Sequence, residues 1–394
     1  MSQGTQGRTD GRIATEQGVR LGGLLEDLLW PRMFEAVTLA LRPDRMVMAL
    51  MTIVLLALVG QANLLWGADD PFLGLVSERI GGAVGAVWQA TWVAFFDASR
   101  AVDWAGAEAA SRVLFFEIPR DIVTQHTAGL IVLGPVIVLL WGVGGVAISR
   151  SVACEFSMGV TPSWPGILAF AIERWRSVLG ALLGPWIVIA GLGAIVWVMA
   201  WFVGVPWIGI FAALVFGLAL ILAGLVVFLT AAYWLGALLL VPAVACEGTD
   251  GIDAIQRTFA RVLGRPMRLV IYLVLAAVIG VVAVGIVALF VDAVQGFAWW
   301  LIGSDPEGAA GAVLGLWMNV LQLLVASYAL SYLHAASTIV YLILRQVADG
   351  QDVNELWMPG LVEGTMVEAM RARSAAGGFG GEEVTKEVTK EVTK

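Results

Sequence analysis

Two thiols and two carboxylates stand at a repeated address in this sequence: Val152-Ala153-Cys154-Glu155 and Val244-Ala245-Cys246-Glu247. Thiolates and carboxylates are metal ligands, so a fold that superposed the two copies would gather a four-membered donor set. The simpler reading is that each Cys fills a small apolar niche where a span meets the membrane interface, with each Glu marking the waterline. That reading is preferred, and no metal or cofactor is assigned. The chain has only two cysteines and two histidines, His126 and His334, too few for a disulfide scaffold or a haem site. The Walker-type phosphate loop, the HExxH zinc helix and the GxSxG elbow are absent. No catalytic residue is assigned, and an enzyme is not expected.

A second set of polar residues lies in the last apolar run. Asn319, Ser327, Ser331, His334, Ser337, Thr338 and Tyr341 fall within about 120° of one another on a helix. Such a stripe avoids hydrocarbon. It could line a substrate path with His334 as its protonatable element, or its hydroxyls and imidazole could hydrogen-bond neighbouring helices. Packing is the favoured use.

These residues must be positioned by membrane-spanning helices. The 394 residues are 59% hydrophobic and only 14% charged, more apolar surface than one soluble core can hide. Apolar runs at 46–66, 127–148, 178–203, 207–245, 269–291 and 312–344 predict an all-α polytopic bundle of about six spans. The fourth run exceeds one hydrocarbon crossing, so it must tilt, project or break at Pro242. Residues 1–30 read as a polar N-terminal segment without an apolar leader, 31–374 as one transmembrane domain. Residues 375–394 read as a disordered tail ending in three Glu-Val-Thr-Lys copies. Glycines in span two (Gly129, Gly134, Gly142, Gly144, Gly145) and span three (Gly180, Gly184) predict close helix contact.

With the N-terminus inside, all of the 23 basic residues except Arg79, Arg100, Arg112 and Arg120 fall on cytoplasmic segments. Both termini are therefore expected in the cytoplasm, with the chain in the inner (plasma) membrane. In the long outer segment, Val76, Ile80, Val84, Val87, Thr91 and Phe95 recur at helical spacing. They predict an amphipathic helix on the outer surface, the rival being a short extra span over 81–96.

Three modules share one plan: in-plane helix, basic elbow, span. Arg42-Pro43-Asp44-Arg45 before span one is echoed by Arg265-Pro266-Met267-Arg268 before span five. Ala171-Ile172-Glu173-Arg174 is echoed by Ala254-Ile255-Gln256-Arg257. In the last module Ile252, Ile255, Phe259, Val262 and Leu263 form an apolar face opposite Gln256, Arg257 and Arg261, with Asp250 as its expected cap. Ser163 is the equivalent cap in the middle module. Arg42, Arg45, Arg174, Arg176, Arg257, Arg261, Arg265 and Arg268 are thus candidate contacts for anionic lipid headgroups.

Glu247-Gly248, then Ala254, Arg257 and Thr258, then a basic elbow and a span, resembles the cytoplasmic modules of a loose class of bacterial polytopic proteins. That class includes the membrane domain attached to some glycerophosphodiester phosphodiesterases. The resemblance covers about residues 235–290 and implies an architecture, not an activity, since this chain has no phosphodiesterase catalytic domain. The expected partners are the bilayer, with anionic lipids at the cytoplasmic face, and a protein partner or a second copy. Nothing resembles a nucleic-acid face. The expected role is non-enzymatic membrane organisation or partner binding, the alternative a transporter or permease component using the polar face of the last span.

Overall fold

A helix that crosses a bilayer must satisfy its backbone internally, which leaves long apolar sequences one choice of structure. The computed structural model describes residues 30–62, 64, 72–96, 103–113, 117–303, 308–351, 353 and 355–357, and every regular element among them is helical. The polar segment before residue 30 and the tail from 375 lie outside the described residues.

A single 3-10 turn, Trp30–Phe34, leads into α1 (Glu35–Ala40) and α2 (Pro43–Gln61). Next come α3 (Phe72–Phe96), α4 (Trp104–Arg112), α5 (Ile118–Gln125) and α6 (Thr127–Met158). Then follow α7 (Trp164–Glu173), α8 (Trp175–Val203) and α9 (Ile208–Glu247). The last three are α10 (Gly251–Gly264), α11 (Pro266–Ile302) and α12 (Ala309–Asp349). Six of these, α2, α6, α8, α9, α11 and α12, are long and apolar enough to cross a membrane, so the chain is a polytopic membrane protein.

The helix α3 is not among the six. It is continuous over 25 residues, and Arg79 on it meets Asp121 of α5 at 2.9 Å. Of the three alternatives for the fourth run, a break at Pro242 does not occur: α9 runs unbroken for 40 residues. At about 1.5 Å per residue it is roughly 60 Å long, twice a ~30 Å hydrocarbon layer, so tilt or projection takes up the excess. Proline is tolerated there because packed neighbours surround it, and Pro242 is buried.

Packing is concentrated at one end of the bundle, where the arginine elbows and both Val-Ala-Cys-Glu tetrapeptides meet; we call it the basic end. There α6, α9 and α12 pack on one another, α2 wedges between α6 and α12, α8 lies against α6 and α9, and α11 runs along α12. The fully buried stretches are the last parts of α6, α9 and α12. Toward the other end the same helices present apolar side chains outward, Leu214 at 85% exposure among them. Surfaces of that kind suit lipid as solvent.

Glycine makes the central position of α6 possible. A Cβ at Gly142 would collide with Val178 of α8, one at Gly144 with Thr52 of α2, and one at Gly145 with His334 of α12. Three glycines within one turn point to different neighbours, so three helices approach the α6 backbone at one level.

Candidate functional site

Three helix C-termini, of α6, α9 and α12, converge at the basic end. Each carries unpaired carbonyls and a partial negative charge, and each ends near an acid: Glu155, Glu247 and Asp349. Arginines from the modules satisfy this accumulation.

The first clamp holds Glu155. Arg42 and Arg45, from the elbow at the start of α2, each place Nη2 on one of its two carboxylate oxygens. Arg45 is wholly buried. Its Nε donates to Ser151 Oγ at 2.9 Å, its Nη1 to the Leu39 carbonyl at 2.6 Å, and its Nη2 also to the Ser151 carbonyl at 3.1 Å. One guanidinium thus ties the end of α1 to α6.

The second clamp holds Glu247 with arginines from the helix α10 rather than from an elbow. Arg257 Nη1 lies 2.6 Å from Oε2 and Arg261 Nη2 2.9 Å from Oε1. Tyr341 of α12 donates its hydroxyl to the same Oε1. Arg261 also binds Asp349 Oδ2 at 2.7 Å, and its guanidinium stacks 4.7 Å from the Tyr341 ring. Burial works against the charge on Arg257, but the Glu247 carboxylate outweighs it and raises its pKa above the ordinary arginine value.

Other basic residues cap carbonyls. Arg150 donates to Ala245 O at 3.0 Å and to Trp357 O at 2.7 Å, and Arg174 donates to Gly248 O. The chain after α12 returns across this end. Trp357 N donates to Cys246 O at 3.1 Å, the guanidinium of Arg174 lies 4.7 Å from the Trp357 ring, and Val353 and Leu356 are buried. Gly248 has φ +58, and a Cβ there would strike the indole, so glycine serves both the turn and the contact.

The eight arginines named from the sequence therefore divide. Arg45 and Arg261 are buried, and Arg42, Arg174 and Arg257 are bonded to groups of the protein. Arg176 and Arg265 are exposed and Arg268 is half-buried; none of the three makes an ion pair with another described residue. Arg176 lies over Trp175 at 5.3 Å. On α10 the buried face is Gly251, Ala254, Thr258, Arg261 and Val262, whereas Ile252 and Leu263 are exposed. Arg261 turns inward because it shares a face with Ala254 and Thr258, whose small side chains let α10 pack closely. The capping expected of Asp250 and Ser163 is not made: neither side chain bonds its helix start.

The polar residues of α12 are used within the protein. Ser327 donates to Leu323 O at 2.7 Å, Ser331 to Ala40 O at 2.9 Å, Ser337 to His334 O at 3.1 Å and Thr338 to His334 O at 2.6 Å. His334 is 3% exposed, its ring 5.4 Å from Trp141. Asn319 stands apart from these, exposed toward the other end. Both cysteines are buried and reduced, and no group of three or more potential metal ligands forms among the described residues. The two glutamates that a metal would need are held by arginine.

Ser151, Asp349, Arg150 and Trp357 were not singled out from the sequence. The usable signal was a charge placed within or beside an apolar helix end, as at Arg150 and Arg345, which demands a partner. No family model, curated protein or solved structure matches this chain.

Proposed function

We propose that this chain is a non-enzymatic integral membrane protein that organises lipids or a protein partner at the cytoplasmic face, with its basic end in the cytoplasm. The carrying observation is the division of its polar groups. Glu155 and Glu247 inside the bundle are each held by two arginines, while Arg176, Arg265 and Arg268 have no ion-pair partner among the described residues and lie beside exposed apolar residues such as Trp175 and Met267. That combination suits anionic headgroups over acyl chains. The resemblance of residues 235–290 to repeated interfacial-helix modules supports the same plan.

The test is a triple Arg176→Ala, Arg265→Ala, Arg268→Ala variant, compared with the parent for co-purifying lipid and protein at matched expression. Loss of anionic lipid or of a partner, with thermal stability retained, supports the reading. Unchanged lipid and partner content overturns it.

A transporter or permease component is the second reading. In its favour, His334 Nε2 is buried without a protein hydrogen-bond partner in the described structure. It requires His334→Ala to change solute uptake at unaltered stability.

A further inference from the structure

A groove of about 370 Å³ runs between α2 and α6 beside the first clamp, within the usual size range of small-molecule sites. Its walls are Val47, Met51, Leu55, Leu140 and Val143, with Trp164 of α7 across its mouth. Val47 and Met51 are about half exposed, at 54% and 49%, so the groove opens on the outside of the bundle, where lipid is the solvent. From Asp44 at the mouth to Leu55 at the far end it follows eleven residues of α2, roughly 17 Å at the helical rise. That is the depth of one leaflet of a ~30 Å hydrocarbon core.

The mouth has a particular charge pattern. Among the described residues, Asp44 is the only ionisable one lining the groove. The one hydrogen bond its side chain accepts from a described residue is a long one, 3.5 Å from Ser151 Oγ. Two residues away, Arg42 is 46% exposed and has donors left beyond the one on Glu155. Arg42, Arg45, Glu155 and Asp44 together sum to zero charge, which gives a net-anionic headgroup no advantage here. A headgroup with a phosphate and a primary ammonium matches an arginine and a carboxylate set side by side.

Resting on the lipid-organising reading of this end, we propose that the α2–α6 groove binds one amino-phospholipid. Its acyl chain lies along Met51 and Leu55, its phosphate meets Arg42 and its ammonium meets Asp44. The site is separate from the exposed arginines, whose preference is for anionic lipid.

The full-length protein, reconstituted in nanodiscs of equimolar phosphatidylethanolamine, phosphatidylglycerol and phosphatidylcholine, is extracted gently and its retained lipid counted by native mass spectrometry. Phosphatidylethanolamine should be retained roughly tenfold over the other two, the size of one charge-assisted hydrogen bond. Asp44→Asn should bring that ratio close to one while a lipid is still retained. Val47→Trp, which fills the groove from an exposed position, should remove the retained lipid altogether. Equal retention of the three lipids by the parent, or a preference that survives Asp44→Asn, overturns the proposal. The triple arginine variant leaves this ratio unchanged if the two sites are separate, so failure of either reading is visible without the other.

Discussion

Arg45 and Glu155, 110 positions apart in the chain, form an ion pair in which the guanidinium has no exposure to solvent. All three of its nitrogens are bonded, to Glu155, Ser151 and Leu39. Taking Glu155 away leaves a buried charge without its carboxylate, and taking Arg45 away leaves Glu155 with Arg42 alone. Arg45→Ala or Glu155→Ala should each destabilise the protein by about 3–5 kcal/mol, the usual cost of breaking a buried pair. The paired replacement Arg45→Met with Glu155→Leu should cost much less than the sum of the single changes. Thermal unfolding in detergent, read as a double-mutant cycle, checks both statements.

Tyr341 donates to the Glu247 oxygen that also meets Arg261. Tyr341→Phe keeps the ring under the Arg261 guanidinium and removes only the hydroxyl. A loss of about 1.5–3 kcal/mol is expected, the range for a hydrogen bond to a charged group. Arg257→Ala, at an exposed position with Arg261 still on Glu247, should cost less than Tyr341→Phe. Equal losses would show that the outer arginine contributes as much as the buried contact.

Gly145 faces the His334 imidazole at a separation that leaves no space for a methyl group. Gly145→Ala should therefore destabilise the protein by about 1–3 kcal/mol through overpacking, although alanine is the better helix former. Gly191 has open space around its would-be Cβ, so Gly191→Ala should be neutral or slightly stabilising. The contrast between the two unfolding temperatures is the measurement.

Cys154 and Cys246 are 3% and 0% exposed. Alkylation of either by a water-soluble maleimide should be slow in the folded protein and fast after denaturation. Metal analysis of the purified protein should find no stoichiometric metal, with Cys154→Ser and Cys246→Ser together making no difference to that result.

Membrane orientation is predicted by the arginine distribution along the chain. A reporter fused after residue 20 should register on the cytoplasmic side. An outside signal would invert every span and place the arginine clamps at the outer face.

The six spans were legible in composition because bilayer thickness sets a length for apolar runs, whatever those helices then touch. The helix bounds differ from those of the apolar runs: α11 continues past residue 291 to Ile302, whereas α2 stops at Gln61, short of residue 66. A helix has no reason to end where hydrocarbon ends. The repeated Val-Ala-Cys-Glu mark was visible too; Glu247 is the last residue of α9, and Glu155 lies three residues before the end of α6. The glycines of span two announced close approach, though not that Gly142, Gly144 and Gly145 would each face a different helix.

What the linear sequence determined by itself was therefore the solvent: apolar length and charge placement require a membrane and require helices. What only the tertiary structure decided was the use of each charge. Periodicity put Arg257 and Arg261 on one face of α10, yet it holds no information about Glu247 and Asp349 waiting on α9 and α12. Whether an arginine meets a lipid or a buried carboxylate depends on which helix ends converge, and that is fixed by packing between residues far apart in the chain.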